Sequence, residues 1–111
     1  EFIRRGLSEI LPNADFILAP VADGGEGTVS ILTEATGGTI FKEKITSPLG
    51  KQIFAEYGVL KDGKTAVIEM AAASGLKLLD SSERNPFVAT TFGTGELIKS
   101  ALNKGFPKII I

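Results

Sequence analysis

The chain has 111 residues, of which 43% are hydrophobic and 23% are charged, and this suits one globular domain or a piece of a larger protein. Its net charge of -1 argues against an electrostatic grip on nucleic acid or on an anionic membrane. With no Cys and no His, the chain lacks disulfides, thiolate chemistry and the most frequent general base. Any chemistry must therefore come from carboxylates, hydroxyls, Lys and Arg side chains and backbone N–H groups.

The first third of the chain predicts helices on either side of one strand. Apolar residues at helical spacing predict a helix that ends at Pro12. The apolar run Phe16–Ala19 predicts a buried strand, and Pro20–Gly25 predicts a turn. A second helix is expected from about Gly25 to Thr36, where a glycine pair ends it. This order of elements is typical of an α/β fold.

The middle of the chain predicts an antiparallel block. Strand patterns cover Ile40–Ile45, Ile53–Val59 and Thr65–Met70. The segment Gly58–Thr65 has the letters of a phosphate-binding P-loop, but that motif needs a helix after it, and here a strand pattern follows. The Asp-Gly pair at its centre favours a hairpin instead, so Lys64 is not a candidate site residue.

The last third predicts a helical turn within Ala71–Leu79, a polar loop over Asp80–Pro86, a helix from about Gly95 to Lys104 and a strand from Lys108. No apolar run approaches the roughly 18 residues of a membrane span.

A glycine-rich loop, Ala22–Thr28, gives the strongest local signal. It follows a predicted strand and opens a predicted helix, which suits a phosphate or carboxylate bound by backbone N–H groups. The alternative is a capping box, with Asp23 as the cap and Glu26 three residues later. A cap accounts for the two acids but not for three glycines in four positions, and both interpretations stay open. The two carboxylates also make the loop a candidate for Mg²⁺ binding or proton transfer.

Three further segments could bind an anion. Hydroxyls and glycines precede a helix at Thr90–Glu96, where an ordinary hydroxyl cap is the simpler interpretation. Glu69 ends an apolar strand, where α/β proteins bind ligands, and a small-residue run ending in Ser74-Gly75 follows it. Tight helix–sheet packing accounts for the alanines of that run. Arg84 offers a guanidinium fork to a carboxylate or phosphate, or else lies in a solvated loop.

Taken in order, these motifs resemble the bacterial glycerate kinases of the type I family. The segments that carry the resemblance are Pro20–Thr28, Ser47–Gly50, Glu69–Leu76, Arg84–Pro86 and Thr90–Ile98. The resemblance implies an α/β fold class with two domains, one flavodoxin-like and one like a restriction endonuclease. We expect residues 1–38 to form part of the flavodoxin-like parallel α/β domain, and residues 39–111 to form an antiparallel strand block and the start of the second α/β domain. A boundary after Met70 is the alternative. The same resemblance predicts a fragment of a longer enzyme.

The resemblance also implies ATP-dependent phosphorylation of glycerate with Mg²⁺ in the cytoplasm, with glycerate and a nucleotide as partners and neither nucleic acid nor membrane. We expect Asp23 and Glu26 to act as base or Mg²⁺ ligands, with Asp23 as the metal ligand. The expected substrate-binding residues are Gly24, Gly25, Gly27, Thr28, Glu69, Ser74, Arg84, Asn85, Gly93, Thr94 and Gly95.

Two rival hypotheses are a non-catalytic module that binds small anions and a purely structural α/β piece whose glycine loops are caps. We expect negligible kinase activity from these 111 residues alone. The apolar ends of the chain predict association with a second copy, as a homo-oligomer, or with missing segments.

Overall fold

The computed structural model describes residues 1–111 and is a mixed α/β fold, as the sequence predicts. The helices are α1 (Phe2–Ile10), α2 (Thr28–Thr36), α3 (Met70–Ser74) and α4 (Phe92–Asn103). The strands are β1 (Thr39–Thr46), β2 (Gln52–Val59), β3 (Thr65–Val67) and β4 (Lys108–Ile110). Two short 3₁₀ turns, Leu76–Leu78 and Ser81–Glu83, lie between α3 and α4.

One sheet holds all four strands in the order β1-β2-β3-β4. The pairs β1–β2 and β2–β3 are antiparallel, which confirms the predicted antiparallel block. Strand β4 returns parallel to β3 after the helical connection, with Ala66 opposite Ile109. Gly63 takes a φ of 62° in the turn between β2 and β3, so Gly58–Thr65 forms a hairpin and not a P-loop.

The two faces of β2 are covered by different helices, because neighbouring residues of a strand point to opposite sides. Tyr57 is fully buried in the core on the α4 side, where it packs with Ile45, Leu97 and Ala101. Leu97 and Ala101 lie four residues apart and therefore share one face of α4, as the helical pattern predicts. Phe41 lies opposite Tyr57 on the neighbouring strand β1, and the two rings stack with their centroids 5.4 Å apart.

Helix α2 packs on the opposite face of β2, over Gly58. The Val29 and Thr33 side chains are buried there, four residues apart on the helix. A Cβ on Gly58 would lie 2.0 Å from Thr33 Oγ1, so a larger residue at this strand position would displace the Thr33 side chain or the helix. The absence of one side chain thus sets how closely α2 approaches the sheet.

Several predicted boundaries differ from the structure. The predicted strand at Phe16–Ala19 is wrong: these residues pair with no strand, and Ile17 is 93% exposed. Strand β3 ends at Val67, three residues early, because the chain turns into α3. Helix α2 begins at Thr28, later than predicted, and α4 begins at Phe92, earlier than predicted. The predicted division at residue 38 stays a prediction. None of the helices is long and apolar enough to cross a membrane.

Candidate functional site

The glycine-rich loop enters α2 without a capping box. Asp23 Oδ1 accepts a hydrogen bond from the Gly25 N–H at 2.8 Å, two residues on, in a local turn. The cap residue of α2 is Gly27, which has no side chain to form a capping hydrogen bond. Gly24 and Gly27 have φ values of 91° and 89°, in the left-handed region that disfavours other residues. The two acids of the supposed capping box therefore have other roles.

Glu26 and Gly27 tie the loop to a distant part of the chain. The Glu26 carboxylate forms an ion pair with the Lys77 ammonium group. The Gly27 N–H donates to Glu69 Oε2 at 2.9 Å, across 42 positions of sequence. Glu69 lies just after the core residue Ile68 and is the cap residue of α3. The glycine loop and the strand-end carboxylate, singled out separately in the sequence, thus meet in the fold.

A small groove of about 210 Å³ lies at this junction. Its lining includes two carboxylates, those of Glu56 and Glu69, together with Gly27 and Ser30. The backbone N–H groups of Val29 and Ser30, in the first turn of α2, have no acceptor in the chain. Thr28 Oγ1 is buried without a hydrogen-bond partner. The start of α2 therefore retains hydrogen-bond donors that could bind a ligand, although the Gly27 N–H already donates to Glu69.

A second groove, of about 290 Å³, gathers the residues near Arg84. Its polar lining comes from one guanidinium, one amide and three hydroxyls, and no carboxylate lines it: Ser74, Arg84, Asn85, Thr90 and Thr91. Prolines and aliphatic side chains complete the walls. Arg84 is exposed and forms no ion pair within the chain. This chemistry suits a small molecule that carries one negative charge and hydroxyl groups.

The turn before Arg84 is locally fixed. Asp80 and Glu83 form a capping box, in which the Asp80 N–H donates to Glu83 Oε2 at 3.1 Å. Lys51 lies 3.3 Å from the other oxygen of the same carboxylate. The Asp80 N–H and the Lys51 ammonium group both lower the pKa of Glu83. These contacts restrain the backbone of the turn that ends at Arg84.

Helix α3 joins the two grooves. Glu69 directly precedes its first turn and lines the smaller groove, while Ser74 ends the helix and lines the larger one. Five helical residues span about 7.5 Å. Ser74 Oγ lies 2.7 Å from Thr94 Oγ1, so this end of α3 is hydrogen-bonded to α4. A single short helix thus holds the grooves at a fixed separation.

The remaining predicted residues lie apart from these two grooves. Asp23, Gly24 and Gly25 are exposed on the loop. Gly93 is buried against β1, where a Cβ would lie 2.1 Å from the Thr46 carbonyl oxygen. Gly95 faces a third, open groove of about 670 Å³ along the outer side of α4.

No group of three or more Asp and Glu side chains is placed to hold a metal ion. Glu26 is engaged by Lys77, whereas Asp23 uses one oxygen in its turn and keeps the other free. Mg²⁺ in nucleotide sites is commonly held by one or two carboxylates together with substrate phosphates and water. Asp23 therefore fits a metal that arrives with a nucleotide and not a metal bound by the protein alone.

Two residues of the candidate site were not predicted from the sequence. Lys77 pairs with Glu26 across 51 positions, and Glu56 lines the groove of Gly27. No local pattern reveals either residue, because both reach the site only through the pairing of β2 and the position of α3.

The fold and the two grooves are those of an α/β protein with a candidate site for a small hydroxylated anion. The model of the glycerate kinase family matches residues 1–111, and the chain belongs to that family. It is 53% identical over its whole length to a glycerate kinase of Bacillus subtilis (strain 168). Over 98% of the chain it is 51% identical to a protein of Escherichia coli (strain K12) named glycerate 2-kinase.

A crystal structure of a Salmonella typhimurium LT2 protein described as a glycerate kinase 2 matches 96% of the chain, with a TM-score of 0.81 and 48% identity. The chain spans about 29% of the length of each of these three proteins. The predicted family is thus confirmed.

Proposed function

We propose that this chain serves ATP-dependent phosphoryl transfer to a hydroxyl group of glycerate, giving a phosphoglycerate, within a kinase of its relatives' length. The observation that carries the proposal is the groove at Arg84, with one unpaired guanidinium, three hydroxyls, an amide and no carboxylate. Membership of the glycerate kinase family supports this reaction type.

Glycerate has one carboxylate and two hydroxyl groups, which match the lining of this groove. In our proposal the Arg84 guanidinium binds the carboxylate through paired N–H donors. Asn85 and Ser74 hydrogen-bond the hydroxyl groups, and the apolar walls exclude part of the water. Holding the acceptor in one orientation is a large part of the catalysis of phosphoryl transfer.

The glycine-rich loop is the proposed partner of the transferred phosphoryl group. The free N–H groups at the start of α2 and the Gly24 N–H would stabilise negative charge there, and the Gly25 N–H would join them once Asp23 Oδ1 releases it. Asp23 would hold Mg²⁺ through its free oxygen, and bound Mg²⁺ would neutralise charge on the nucleotide phosphates. Glu26 would accept the proton of the substrate hydroxyl once its carboxylate leaves Lys77.

Thr28, Gly93, Thr94 and Gly95 have binding or positioning roles in the proposal. Thr28 would donate its buried hydroxyl to the phosphoryl group. Thr94 would act through Ser74, to which it is hydrogen-bonded. Gly93 would let α4 approach the sheet so that Thr94 reaches Ser74. Gly95, which faces the open groove along α4, would leave room there for part of a bound ligand. We propose that the 111 residues alone have negligible turnover and that the kinase acts in the cytoplasm.

A coupled assay with ATP, Mg²⁺ and glycerate tests the proposal on a kinase of the relatives' length that carries this segment. We expect Asp23→Asn to reduce kcat at least about a hundredfold, since one preorganised group at a reacting centre is commonly worth that much. A matched control is Asp15→Asn, an exposed acid of the same N-terminal region outside both grooves. Normal turnover in Asp23→Asn would remove the proposed metal role. Glycerate binding with no ATP consumption in the unsubstituted kinase would favour the non-catalytic anion-binding module.

A further inference from the structure

Two successive residues, Glu26 and Gly27, attach the glycine-rich loop to the rest of the fold. The stretch before them, residues 11–25, forms neither helix nor strand and is exposed at nearly every position. Its hydrogen bonds are local, such as the bond from the Ala14 N–H to the Leu11 carbonyl. The geometry of the loop therefore depends on what holds these two residues.

The two attachments differ in strength. The ion pair of Glu26 with Lys77 joins side chains that are 51% and 79% exposed, and such pairs contribute little to stability. The bond from the Gly27 N–H to the Glu69 carboxylate is partly buried, and one of its partners is charged. Charge-assisted hydrogen bonds away from bulk water are the stronger kind. Glu69 is therefore the dominant attachment.

Helix α2 does not depend on this attachment for its place in the fold. Val29 and Thr33 are buried where α2 packs directly over Gly58 of β2, and this packing does not involve Glu69. Loss of the Glu69 carboxylate would release the loop while α2 stayed packed. Loss of the Glu69 carboxylate should therefore change the position of the loop without changing the packing of the core.

We propose that Glu69 is a positioning residue, whose carboxylate fixes the glycine-rich loop relative to the Arg84 groove through α3. One oxygen of this carboxylate bonds to Gly27, and α3 carries Ser74 of the other groove at its far end. Glu69 thus sets the distance between the two halves of the site and does not bind substrate through that oxygen. The consequence for catalysis rests on the proposed function, whereas the attachment itself does not.

Amide hydrogen exchange of Gly27, followed by NMR in this chain, tests the attachment without turnover. We expect Glu69→Ala to accelerate exchange of the Gly27 amide at least about tenfold, the effect of losing one hydrogen bond to a charged group. Glu69→Gln keeps a neutral acceptor oxygen and should restore part of the protection. Glu56→Gln is the matched control, because Glu56 lines the same groove without bonding to Gly27, and it should change the exchange less than about twofold.

The Leu60 amide, which donates to the Thr65 carbonyl oxygen, and the Ile68 amide, which donates to the Ile110 carbonyl oxygen, report whether each variant is folded. Unchanged Gly27 exchange in a folded Glu69→Ala chain would overturn the proposal, as would an equal acceleration in Glu56→Gln. Should Glu69→Ala not fold, Glu69→Gln decides: faster exchange at Gly27 alone supports the attachment, and unchanged exchange overturns it. A kinase inactive without any substitution would count against the proposed function only.

Discussion

Gly93 lies so close to the backbone of Thr46 that a Cβ at its position would stand 2.1 Å from the Thr46 carbonyl oxygen. The N–H of Thr46 donates to Glu96 Oε2 at 2.6 Å, one turn further along α4. The N–H and C=O groups of Thr46 therefore both face the first two turns of α4. This double contact fixes the start of α4 at the end of β1, beside the Arg84 groove.

We expect Gly93→Ala to lower the free energy of unfolding by about 1–3 kcal/mol, because the new methyl group must push α4 away from β1. Gly95→Ala is the matched control: a Cβ there meets nothing within 4 Å. Since alanine favours a helix over glycine, Gly95→Ala should raise the stability by roughly 0.5–1 kcal/mol. Urea unfolding followed by circular dichroism measures both. Equal effects of the two substitutions would contradict the close contact.

The sequence predicts the pattern of glycines around α4 but not their separate roles. Gly93 and Gly95 both look like parts of an anion-binding turn, since both lie among hydroxyl residues where a predicted helix begins. Their difference arises only when α4 packs on β1, with Gly93 facing the strand and Gly95 facing outward. Which face of a helix meets the sheet depends on contacts between residues about 50 positions apart, and local spacing does not encode them.

The guanidinium of Arg84 carries the prediction for substrate binding. In a kinase of the relatives' length, Arg84→Ala should raise the KM for glycerate by about ten- to a hundredfold, the loss expected for a charge-assisted bidentate contact. Arg84→Lys should recover only part of this, because a lysine cannot form the paired contact. Lys51→Met is the control, since Lys51 braces the same turn through Glu83 but does not line the groove. An unchanged KM in Arg84→Ala would place the carboxylate elsewhere.

The hydroxyl pair of Ser74 and Thr94 should stabilise the contact between α3 and α4. Thr94 is buried, and its oxygen lies 2.7 Å from that of Ser74. A double-mutant cycle with Ser74→Ala and Thr94→Val should give a coupling energy of about 0.5–1.5 kcal/mol, the usual net value of one hydrogen bond. Additive effects of the two substitutions would contradict the bond. Unfolding in urea provides the four free energies.

Hydrophobic pattern predicts the sheet well where strands pair with near neighbours, as in the hairpin between β2 and β3. It fails at Phe16–Ala19, because an apolar run becomes a strand only where another strand accepts its hydrogen bonds. No strand lies beside these residues, and Ile17 is 93% exposed. The hydrogen bond between Gly27 and Glu69 could not be predicted from the sequence for a related reason. It forms only because the tertiary fold brings together two residues that are 42 positions apart.

The hydrogen bonds of Asp62 should make the stability of the chain depend on pH. Asp62 Oδ1 accepts the N–H groups of Lys64 and Thr65 at 2.9 Å each, and Asp62 Oδ2 accepts the Thr65 hydroxyl at 2.7 Å. The Thr65 hydroxyl, followed by the two backbone N–H groups, lowers the pKa of Asp62 from its ordinary value of 3.8 to about 2. The folded chain thus binds this proton more weakly than the unfolded chain does, so the ionised carboxylate stabilises the hairpin.

This stabilisation is complete above the unfolded pKa of 3.8 and is lost as the pH falls towards the folded pKa of about 2. We therefore expect the stability difference between the wild-type chain and Asp62→Asn to be constant from neutral pH down to about 4, and to shrink below that. Urea unfolding at a series of pH values measures the difference. Thr65→Val removes the largest cause of the shift and should raise the pKa of Asp62 in an NMR titration. The pH range over which the Asp62 carboxylate loses its stabilising effect should then become narrower. A stability difference that grew towards acid would have the wrong sign for a carboxylate held ionised by its hydrogen bonds.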